Sequence, residues 1–228
     1  YDGLIDNNNG YKSEAFENMN CMQDADLLIN EPLYISMDYG SWFNGIVTGQ
    51  EDGDQFRFIS AVSINEDVTF EDLLIQWCTY YVPHREKTVF YYYDHTARDH
   101  DARAEEYPEI VKRVLGSFGW HVIDMYIGMQ PSPDDRYKFM AALYQGNQRQ
   151  LPKVTMNAYH CKWLIVSLNG AKAKQGAKGV EKDKADEKNH KIDQRTTTHF
   201  SDAHDTLLMG KFAGLTLHQE PIPSPRWG

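Results

Sequence analysis

A strand that ends in a carboxylate constrains this chain more than any other stretch. Residues 32–48 read PLYISMDYGSWFNGIVT, and Leu33, Ile35 and Met37 recur at the two-residue period of a β-strand. Asp38 then interrupts the apolar series. A carboxylate at such a position has to be hydrated, paired or bound to a metal, because an uncompensated buried charge is strongly unfavourable. We therefore expect later segments of the chain to supply partners for Asp38.

Composition narrows the class of protein. The chain has 228 residues, of which 41% are hydrophobic, and this size and content favour one domain with a full core. Its net charge of −10 argues against a general nucleic-acid coat protein, which would be basic. The charge leaves open an enzyme that gathers carboxylates at a metal site and binds DNA through a local basic patch.

Several absences add to these expectations. The three cysteines form no CxxC pair, which predicts reduced thiols in a cytosolic protein. No apolar run approaches the roughly 20 residues that a membrane span needs, so no membrane partner is expected. No signal peptide opens the chain, and its polar start predicts a piece of something longer. The nucleotide-binding motif GxxxxGK[ST] does not occur, so we expect no ATP hydrolysis by this chain alone.

The hydrophobic periodicities predict a mixed sheet. Three consecutive alternating segments indicate an antiparallel meander, and helical and strand periods then take turns. Such an order predicts an α/β fold with helices on both faces of the sheet. Sites in such sheets lie at the carboxyl ends of strands, where Asp38 and Asp94 both fall. The predicted strands are 33–39, 42–49, 56–64, 88–94, 121–127 and 154–157, and the predicted helices follow Thr69 and occupy 107–118, 134–145, 160–171 and 201–212.

The chain divides into three parts. Residues 1–31 are polar and turn-rich, and they predict a linker or packing arm with a helix near 13–22. Residues 32–212 form the predicted domain, and 213–228 a tail that ends in PIPSPRWG. Within the domain, residues 171–191 contain almost no large apolar side chain and many lysines. They predict a lysine-rich insertion that is a projecting hairpin or a mobile loop.

Three motifs carry a family resemblance: ISMDYGSWFNGIVTG at 35–49, VFYYYDHTAR at 89–98 and THFSDAHDTLL at 198–208, with the lysine-rich insertion before the last. Together they resemble the C-terminal nuclease domain of the large terminase subunit of tailed phages, over roughly residues 32–212. The resemblance implies a ribonuclease H-like fold. It also implies a metal-dependent endonuclease that cuts concatemeric viral DNA during genome packaging.

The same resemblance implies partners and a location. The partners are double-stranded DNA, a packaging ATPase domain N-terminal to this chain, the portal and the small terminase subunit. The implied cofactors are two divalent cations, Mg²⁺ or Mn²⁺. The implied location is the cytoplasm of an infected or prophage-carrying bacterium.

Residue by residue, the first acidic ligand of the family falls on Asp38, the second on Asp94 and the third on Asp202. His199 matches the histidine that some members place three residues before the third acid, and Asp205 is a further candidate ligand. Two divalent ions about 3.5–4 Å apart activate a water and stabilise the leaving oxygen in phosphodiester hydrolysis. We expect Asp38 to bridge both ions, Asp94 and Asp202 to hold one each, and His199 to orient a water or contact the scissile phosphate.

The lysine-rich insertion has two interpretations. It is a solvated hairpin, or it supplies the phosphate contacts that proteins make mainly through lysine and arginine. The candidate DNA-binding residues are Lys172, Lys174, Lys178, Lys182 and Lys184.

Other interpretations stay open at this stage. Asp38 can cap the turn that follows it, Asp94 can open an Asx-turn, and Asp202 can be an acidic residue at a helix N-terminus. The fold can also serve a ribonuclease H or a junction resolvase-like enzyme. A third possibility is a non-catalytic module that binds a partner protein.

Overall fold

The computed structural model describes residues 21–22, 26–40, 42–64, 68–98, 105–146, 148–176 and 179–217. Its strands are β1 (Cys21–Met22), β2 (Leu33–Tyr39), β3 (Asn44–Asp52), β4 (Gln55–Ile64), β5 (Thr88–Tyr93), β6 (His121–Tyr126), β7 (Lys153–Asn157), β8 (Ala173–Gly176) and β9 (Gly179–Lys182). Its helices are α1 (Phe70–Tyr80), α2 (Tyr107–Ser117), α3 (Pro133–Gln145), α4 (Lys162–Gly170), α5 (His199–Phe212) and α6 (Gly214–Leu217).

Seven strands form one mixed sheet in the order β1-β7-β4-β3-β2-β5-β6. Strands β2, β3 and β4 are an antiparallel meander, whereas β5 pairs in parallel with β2, and β7 with β4. Of these seven described strands, β3 alone runs opposite to the others. The carboxyl ends of the other six therefore meet at one edge, which we call the carboxyl edge. The predicted mixed sheet with a meander is confirmed.

The hydrophobic core lies in two layers, one on each face of the sheet. Helices α1 and α2 cover the first face, and α3, α4 and α5 cover the second. The three consecutive tyrosines of β5 show the alternation that a strand requires. Tyr91 and Tyr93 pack into the first layer, and Tyr92 packs into the second. This confirms the helices predicted on both faces.

A capping box begins α1 where the sequence predicts it. The Thr69 hydroxyl accepts a hydrogen bond from the Asp72 amide at 3.2 Å, and the Asp72 carboxylate accepts one from the Thr69 amide at 3.1 Å. Further along the helix, the buried Trp77 indole donates to the Thr48 hydroxyl of β3 at 3.0 Å. This bond satisfies the one polar atom of a large buried ring and sets the position of α1 on the sheet.

The structure departs from prediction at the ends of the domain. Cys21–Met22, predicted to end a helix, form a short strand beside β7. Gly214–Leu217, predicted as tail, form the short helix α6. The rest of the predicted N-terminal helix, and residues 218–228, lie outside the described residues. Among the described residues, no helix is long and apolar enough to cross a bilayer.

The lysine-rich insertion is confirmed as a hairpin, but its packing departs from prediction. It forms the hairpin β8–β9, but this hairpin packs against α3 instead of projecting. A Cβ added at Gly179 would lie only 2.6 Å from the Cβ of Asp134, so glycine permits the close approach. Since the Lys182 side chain is also buried, the end of β9 belongs to the body of the protein.

The capping box yields a prediction about stability. Thr69→Ala removes one of its two hydrogen bonds and should lower the free energy of unfolding by about 1 kcal/mol in urea denaturation. Ile75→Ala, on the exposed side of the same helix, is the matched control and should change it by less than about 0.5 kcal/mol. Equal losses in the two variants would contradict the role of the cap.

Candidate active site at the carboxyl edge

A cleft of about 610 Å³ opens at the carboxyl edge, where β2 and β5 end side by side. Asp38 from β2, Asp94 from the residue after β5, and Asp202 and His199 from α5 all line this cleft. Asp38 and His199 are 161 positions apart in the chain. The four residues predicted as catalytic therefore meet in one place, and parallel pairing of β2 with β5 is what joins the first two.

His199 is held from three sides. Its Nδ1 lies 2.9 Å from the Asp38 carboxylate, its Nε2 lies 3.1 Å from the Gln194 side-chain oxygen, and its ring stacks on Phe43 with centroids 4.6 Å apart. Both ring nitrogens thus face oxygen acceptors, which suits the imidazolium form. Burial acts to lower the pKa of His199, but the hydrogen bond and charge of Asp38 outweigh it and raise that pKa. Burial raises the pKa of Asp38 despite this partner.

The stack under His199 depends on a glycine. Gly45 pairs with Asp38 across β2 and β3. A Cβ at Gly45 would lie 2.6 Å from the Phe43 ring, closer than van der Waals contact allows. Glycine at this position therefore lets Phe43 fold over β3 and support the imidazole.

Asp94 forms the Asx-turn that the sequence suggested, and it also faces the cleft as the predicted site residue would. One of its carboxylate oxygens accepts from the Thr96 amide at 2.9 Å and the Thr96 hydroxyl at 2.5 Å, which is the Asx-turn. The other oxygen accepts from Gln130 Nε2 at 2.5 Å and faces the cleft network. The turn orients the carboxylate, so the local role and a role in the cleft are compatible.

The sequence motifs missed three residues of this network. Gln130 also lies 2.9 Å from the Thr206 hydroxyl, and Arg136 donates to the Gln130 side-chain oxygen at 2.5 Å. All three residues line the cleft. Gln130 follows β6, so applying the strand-end rule to that strand would have found it. Arg136 belongs to the first turns of α3 and carries no sequence signal of its own.

Two lysines from the hairpin neutralise Asp202. Lys182 Nζ lies 3.0 Å from one carboxylate oxygen, and the Lys184 ammonium pairs with the other. Burial acts to raise the pKa of Asp202, but these two charges outweigh it and lower that pKa. Burial acts to lower the pKa of Lys184, and the Asp202 charge outweighs it and raises that pKa. The Lys184 side chain is 50% exposed and lines the cleft.

Lys182 corrects a prediction. Its side chain is only 4% exposed, and its ammonium lies 2.7 Å from Asp205 as well as 3.0 Å from Asp202. A buried ammonium between two carboxylates does not reach a phosphate outside the protein, so the geometry argues against its predicted DNA contact. Asp202 therefore pairs with the buried Lys182 inside the protein and with the Lys184 ammonium in the cleft.

Asp205 lies behind the cleft wall and does not belong to the residues that line it. Its carboxylate pairs with Lys182 and with His204 Nδ1 at 3.0 Å, and His204 Nε2 lies 2.7 Å from the Tyr144 hydroxyl. Burial acts to raise the pKa of Asp205, and the Lys182 charge outweighs it and lowers that pKa. The neighbour that neutralises this carboxylate is thus a lysine.

The remaining candidate lysines lie apart from the carboxylates. Lys172 and Lys174 are exposed on or beside β8, and Lys174 pairs with Asp183 at 3.2 Å. Lys178 lies outside the described residues. A DNA contact through these three residues stays a prediction.

The donor set of the cleft suits a hard divalent cation, because Mg²⁺ and Mn²⁺ prefer carboxylate oxygens. In the described conformation each carboxylate is instead held by protein donors. Within the described ranges, no three His, Cys, Asp or Glu side chains are arranged as a metal-binding group. The chemistry of the carboxylates therefore fits a divalent cation. In the described conformation, the Lys184 ammonium lies at an oxygen of Asp202 that such a cation would use.

Comparison with solved structures identifies the fold. The large terminase of the thermophilic bacteriophage D6E aligns over 85% of this chain and 43% of its own, with 13% identity and a TM-score of 0.53. Over the aligned residues, the chain has the fold of part of that large terminase. This confirms the predicted resemblance at the level of the fold, together with the predicted mixed sheet. The chain spans less than half of the D6E protein, and at this identity the likeness shows the fold alone.

Two nuclease structures also align with this large-terminase-like chain, at TM-scores below 0.5. The large terminase nuclease of thermophilic phage G20c covers 80% of this chain and 84% of its own, with 12% identity and a TM-score of 0.46. The nuclease domain of the bacteriophage SPP1 large terminase, solved with bound Mn, covers 82% and 93%, with 10% identity and a TM-score of 0.43. Neither a protein-family model nor a curated protein sequence matches the chain.

The buried lysine yields a prediction. Lys182→Met leaves the buried Asp205 carboxylate without its ammonium and should lower the free energy of unfolding by about 3–5 kcal/mol. Adding Asp205→Asn removes that charge and should recover part of the loss. Lys174→Met, in an exposed pair of the same hairpin, should cost no more than about 1 kcal/mol. Equal losses for the two lysine variants in chemical denaturation would contradict the assigned role of Lys182.

Proposed function

We propose that this chain is a divalent-metal-dependent endodeoxyribonuclease that cuts concatemeric viral DNA during genome packaging. The observation that supports this proposal most is the meeting of Asp38, Asp94 and Asp202 in one cleft from three separate segments. Carboxylates gathered against mutual repulsion suit a site that binds cations. The likeness to the large terminase fold also supports the proposed nuclease, since the motifs that carried the resemblance fall at the cleft.

In this proposal Asp38, Asp94 and Asp202 hold two Mg²⁺ or Mn²⁺ ions. When bound, such ions supply an activated water and stabilise the leaving oxygen of the phosphodiester. His199 lines the cleft with its Nδ1 bonded to Asp38 and its Nε2 bonded to the neutral Gln194 side chain, and Nε2 would exchange Gln194 for a ligand. It is suited to hydrogen-bond a phosphate oxygen or to orient a water.

Arg136 is the further residue that we propose for phosphate binding. It lines the cleft, and one of its terminal nitrogens is committed to Gln130. Its buried Nε has no acceptor among the described residues. A guanidinium with a donor to spare is well suited to a phosphate oxygen. Bound to Gln130, Arg136 also keeps the carboxamide that holds Asp94 in place.

We propose double-stranded DNA as the partner at this site, with Lys172, Lys174 and Lys184 as phosphate contacts and Lys178 as a further candidate. The D6E large terminase was also solved with ATP-γ-S. This supports a packaging ATPase domain elsewhere in a longer protein, together with the portal and the small terminase subunit. The corresponding location is the cytoplasm of an infected or prophage-carrying bacterium.

Asp38→Asn tests the nuclease directly. The substitution removes a charge from the cleft and keeps the shape of the side chain, so metal-dependent nicking and linearisation of supercoiled plasmid should fall at least about a hundredfold. Asp54→Asn, on the exposed turn at the opposite edge of the sheet, is the matched control and should cleave like the wild type. Chelator should abolish cleavage by the wild type.

The outcomes of that assay separate the functions. Equal cleavage by the wild type and Asp38→Asn would overturn the proposed site. Preference for an RNA–DNA hybrid or a four-way junction over plain duplex would favour a ribonuclease H or a resolvase. No cleavage together with no binding of Mn²⁺ in calorimetry would favour a non-catalytic module that binds a partner protein.

Lys184 yields a second prediction for the cleft. Its ammonium occupies an oxygen of Asp202, so Lys184→Met should strengthen Mn²⁺ binding in calorimetry about five- to tenfold, as expected for removal of a half-exposed ion pair of about 1 kcal/mol. Lys188→Met removes the same charge from an exposed site nearby and should change the affinity less than about twofold. Unchanged Mn²⁺ affinity in Lys184→Met would contradict competition at Asp202.

A further inference from the structure

A second groove lies at the carboxyl ends of β4 and β7. Its volume is about 460 Å³, and none of its lining residues lines the cleft that holds the carboxylates. Aromatic and basic side chains dominate it, and its lining contains no Asp or Glu. In a chain of net charge −10, a groove without acidic side chains indicates a site for an anionic ligand. The side chains that carry the argument are Tyr80, Tyr159, His160, Lys162 and Trp163.

The turn that forms this groove holds an aromatic ring out in solvent. Tyr159 is 83% exposed, yet its backbone is fixed. The Asn157 side-chain oxygen accepts from the amides of Tyr159 and His160 at 3.0 and 2.8 Å, and the His160 carbonyl accepts from the Ala61 amide at 3.1 Å. The Tyr159 ring meets the His160 ring edge to face, with centroids 5.1 Å apart. A rigid turn that presents such an exposed ring is suited to stacking, because little conformational entropy is lost when a ligand binds. Tyr80, 52% exposed, is a second such ring.

Basic side chains surround the neighbouring indole. The Lys162 ammonium lies 5.0 Å and the Arg195 guanidinium 4.1 Å from the centroid of the Trp163 ring. Asp193 pairs with Arg195 at 2.6 Å, so Lys162 supplies most of the local positive charge. Aromatic rings beside cations are the combination that proteins use for single-stranded nucleic acid.

The groove lies beside the cleft at the carboxyl edge. Gln194 contacts His199 in the cleft, and the next residue, Arg195, covers Trp163 in the groove. Strand β4 is two positions from β2 in the sheet, and neighbouring strands are about 4.8 Å apart. The two sites are thus separated by a distance that a few nucleotides of one strand can span.

We propose that this groove binds unpaired nucleotides of the DNA strand that passes through the cleft. Bases stack on Tyr159 and Tyr80, and Lys162 faces the backbone phosphates. The strand is unpaired because the exposed ring faces can stack only on bases whose own faces are free, whereas bases inside a duplex are already stacked. The inference rests on the proposed nuclease function, which brings the strand to the carboxyl edge.

The test measures DNA binding without cleavage. Fluorescence anisotropy of labelled oligo-dT and of a blunt duplex is followed in metal-free buffer. Tyr159→Ala should weaken oligo-dT binding about fivefold or more, as loss of one stacked base predicts, and change blunt-duplex binding less than about twofold. Phe118→Ala removes an exposed ring from the end of α2, away from the groove, and should leave both affinities within about twofold of the wild type.

A second variant separates charge from stacking. Lys162→Gln should weaken oligo-dT binding and reduce the salt slope of the affinity by about one, as expected for one lost phosphate contact. The Trp163 and tyrosine rings remain in this variant. The difference in oligo-dT affinity between Lys162→Gln and the wild type should therefore be smaller at high salt.

The possible results distinguish this inference from the proposed nuclease. Plasmid cleavage that needs Asp38, combined with equal oligo-dT binding by Tyr159→Ala and Phe118→Ala, would overturn the groove and leave the nuclease standing. An equal loss of oligo-dT and duplex binding in Tyr159→Ala would overturn the claim that the strand is unpaired, as would an absence of oligo-dT binding by the wild type. Loss of oligo-dT binding in Tyr159→Ala, with cleavage unaffected by Asp38→Asn, would support the groove and refute the proposed nuclease site.

Discussion

The carboxyl edge depends on one buried cluster of three charges. The Lys182 ammonium, carried by the hairpin, lies between Asp205 and Asp202 of α5 and is almost fully excluded from solvent. Burial of three charged groups is favourable only when they are paired at short distance. This cluster therefore fastens the end of β9 to α5, the helix that carries His199 and Asp202 into the cleft beside Asp38 of β2. The Lys184–Asp202 pair and the hydrogen bond from Thr198 to Glu187 also join the residues after β9 to the start of α5.

The charges in the cleft differ from the net charge of the chain. The whole chain is acidic, yet the cleft combines three carboxylates with the positive groups Lys184 and Arg136 and with a histidine whose pKa is raised. Each carboxylate already has protein donors, which are lysines at Asp202, His199 at Asp38 and neutral groups at Asp94. These donors explain how an acidic protein can offer a surface that tolerates a phosphate backbone. Net charge describes solubility and long-range steering, whereas the local arrangement decides what a site binds.

Much of the fold could be predicted because its signals are local. The alternation of β2 and β5, the capping box at Thr69 and the carboxylates at strand ends each depend on a few neighbouring residues. Lys182 could not be assigned, since the lysine pattern around it is that of a solvated segment, and its burial depends on carboxylates 20 or more positions away. Arg136 was missed for the same reason, because a lone polar residue acquires its role only from neighbours in space, whereas the strand-end rule applied to β6 would have found Gln130.

The sequence by itself determined the order of strands and helices, the placement of Asp38 and Asp94 at strand ends, and the resemblance that joined them to Asp202 and His199. Those features follow from periodicity and turn chemistry, which act over a few residues. Only the tertiary structure decided that Asp205 is neutralised by a lysine behind the cleft, that the lysine-rich hairpin packs against α3, and that an aromatic groove lies beside the cleft. The physical reason is that burial and charge pairing depend on distances between segments remote in sequence, and the packing of the sheet sets those distances.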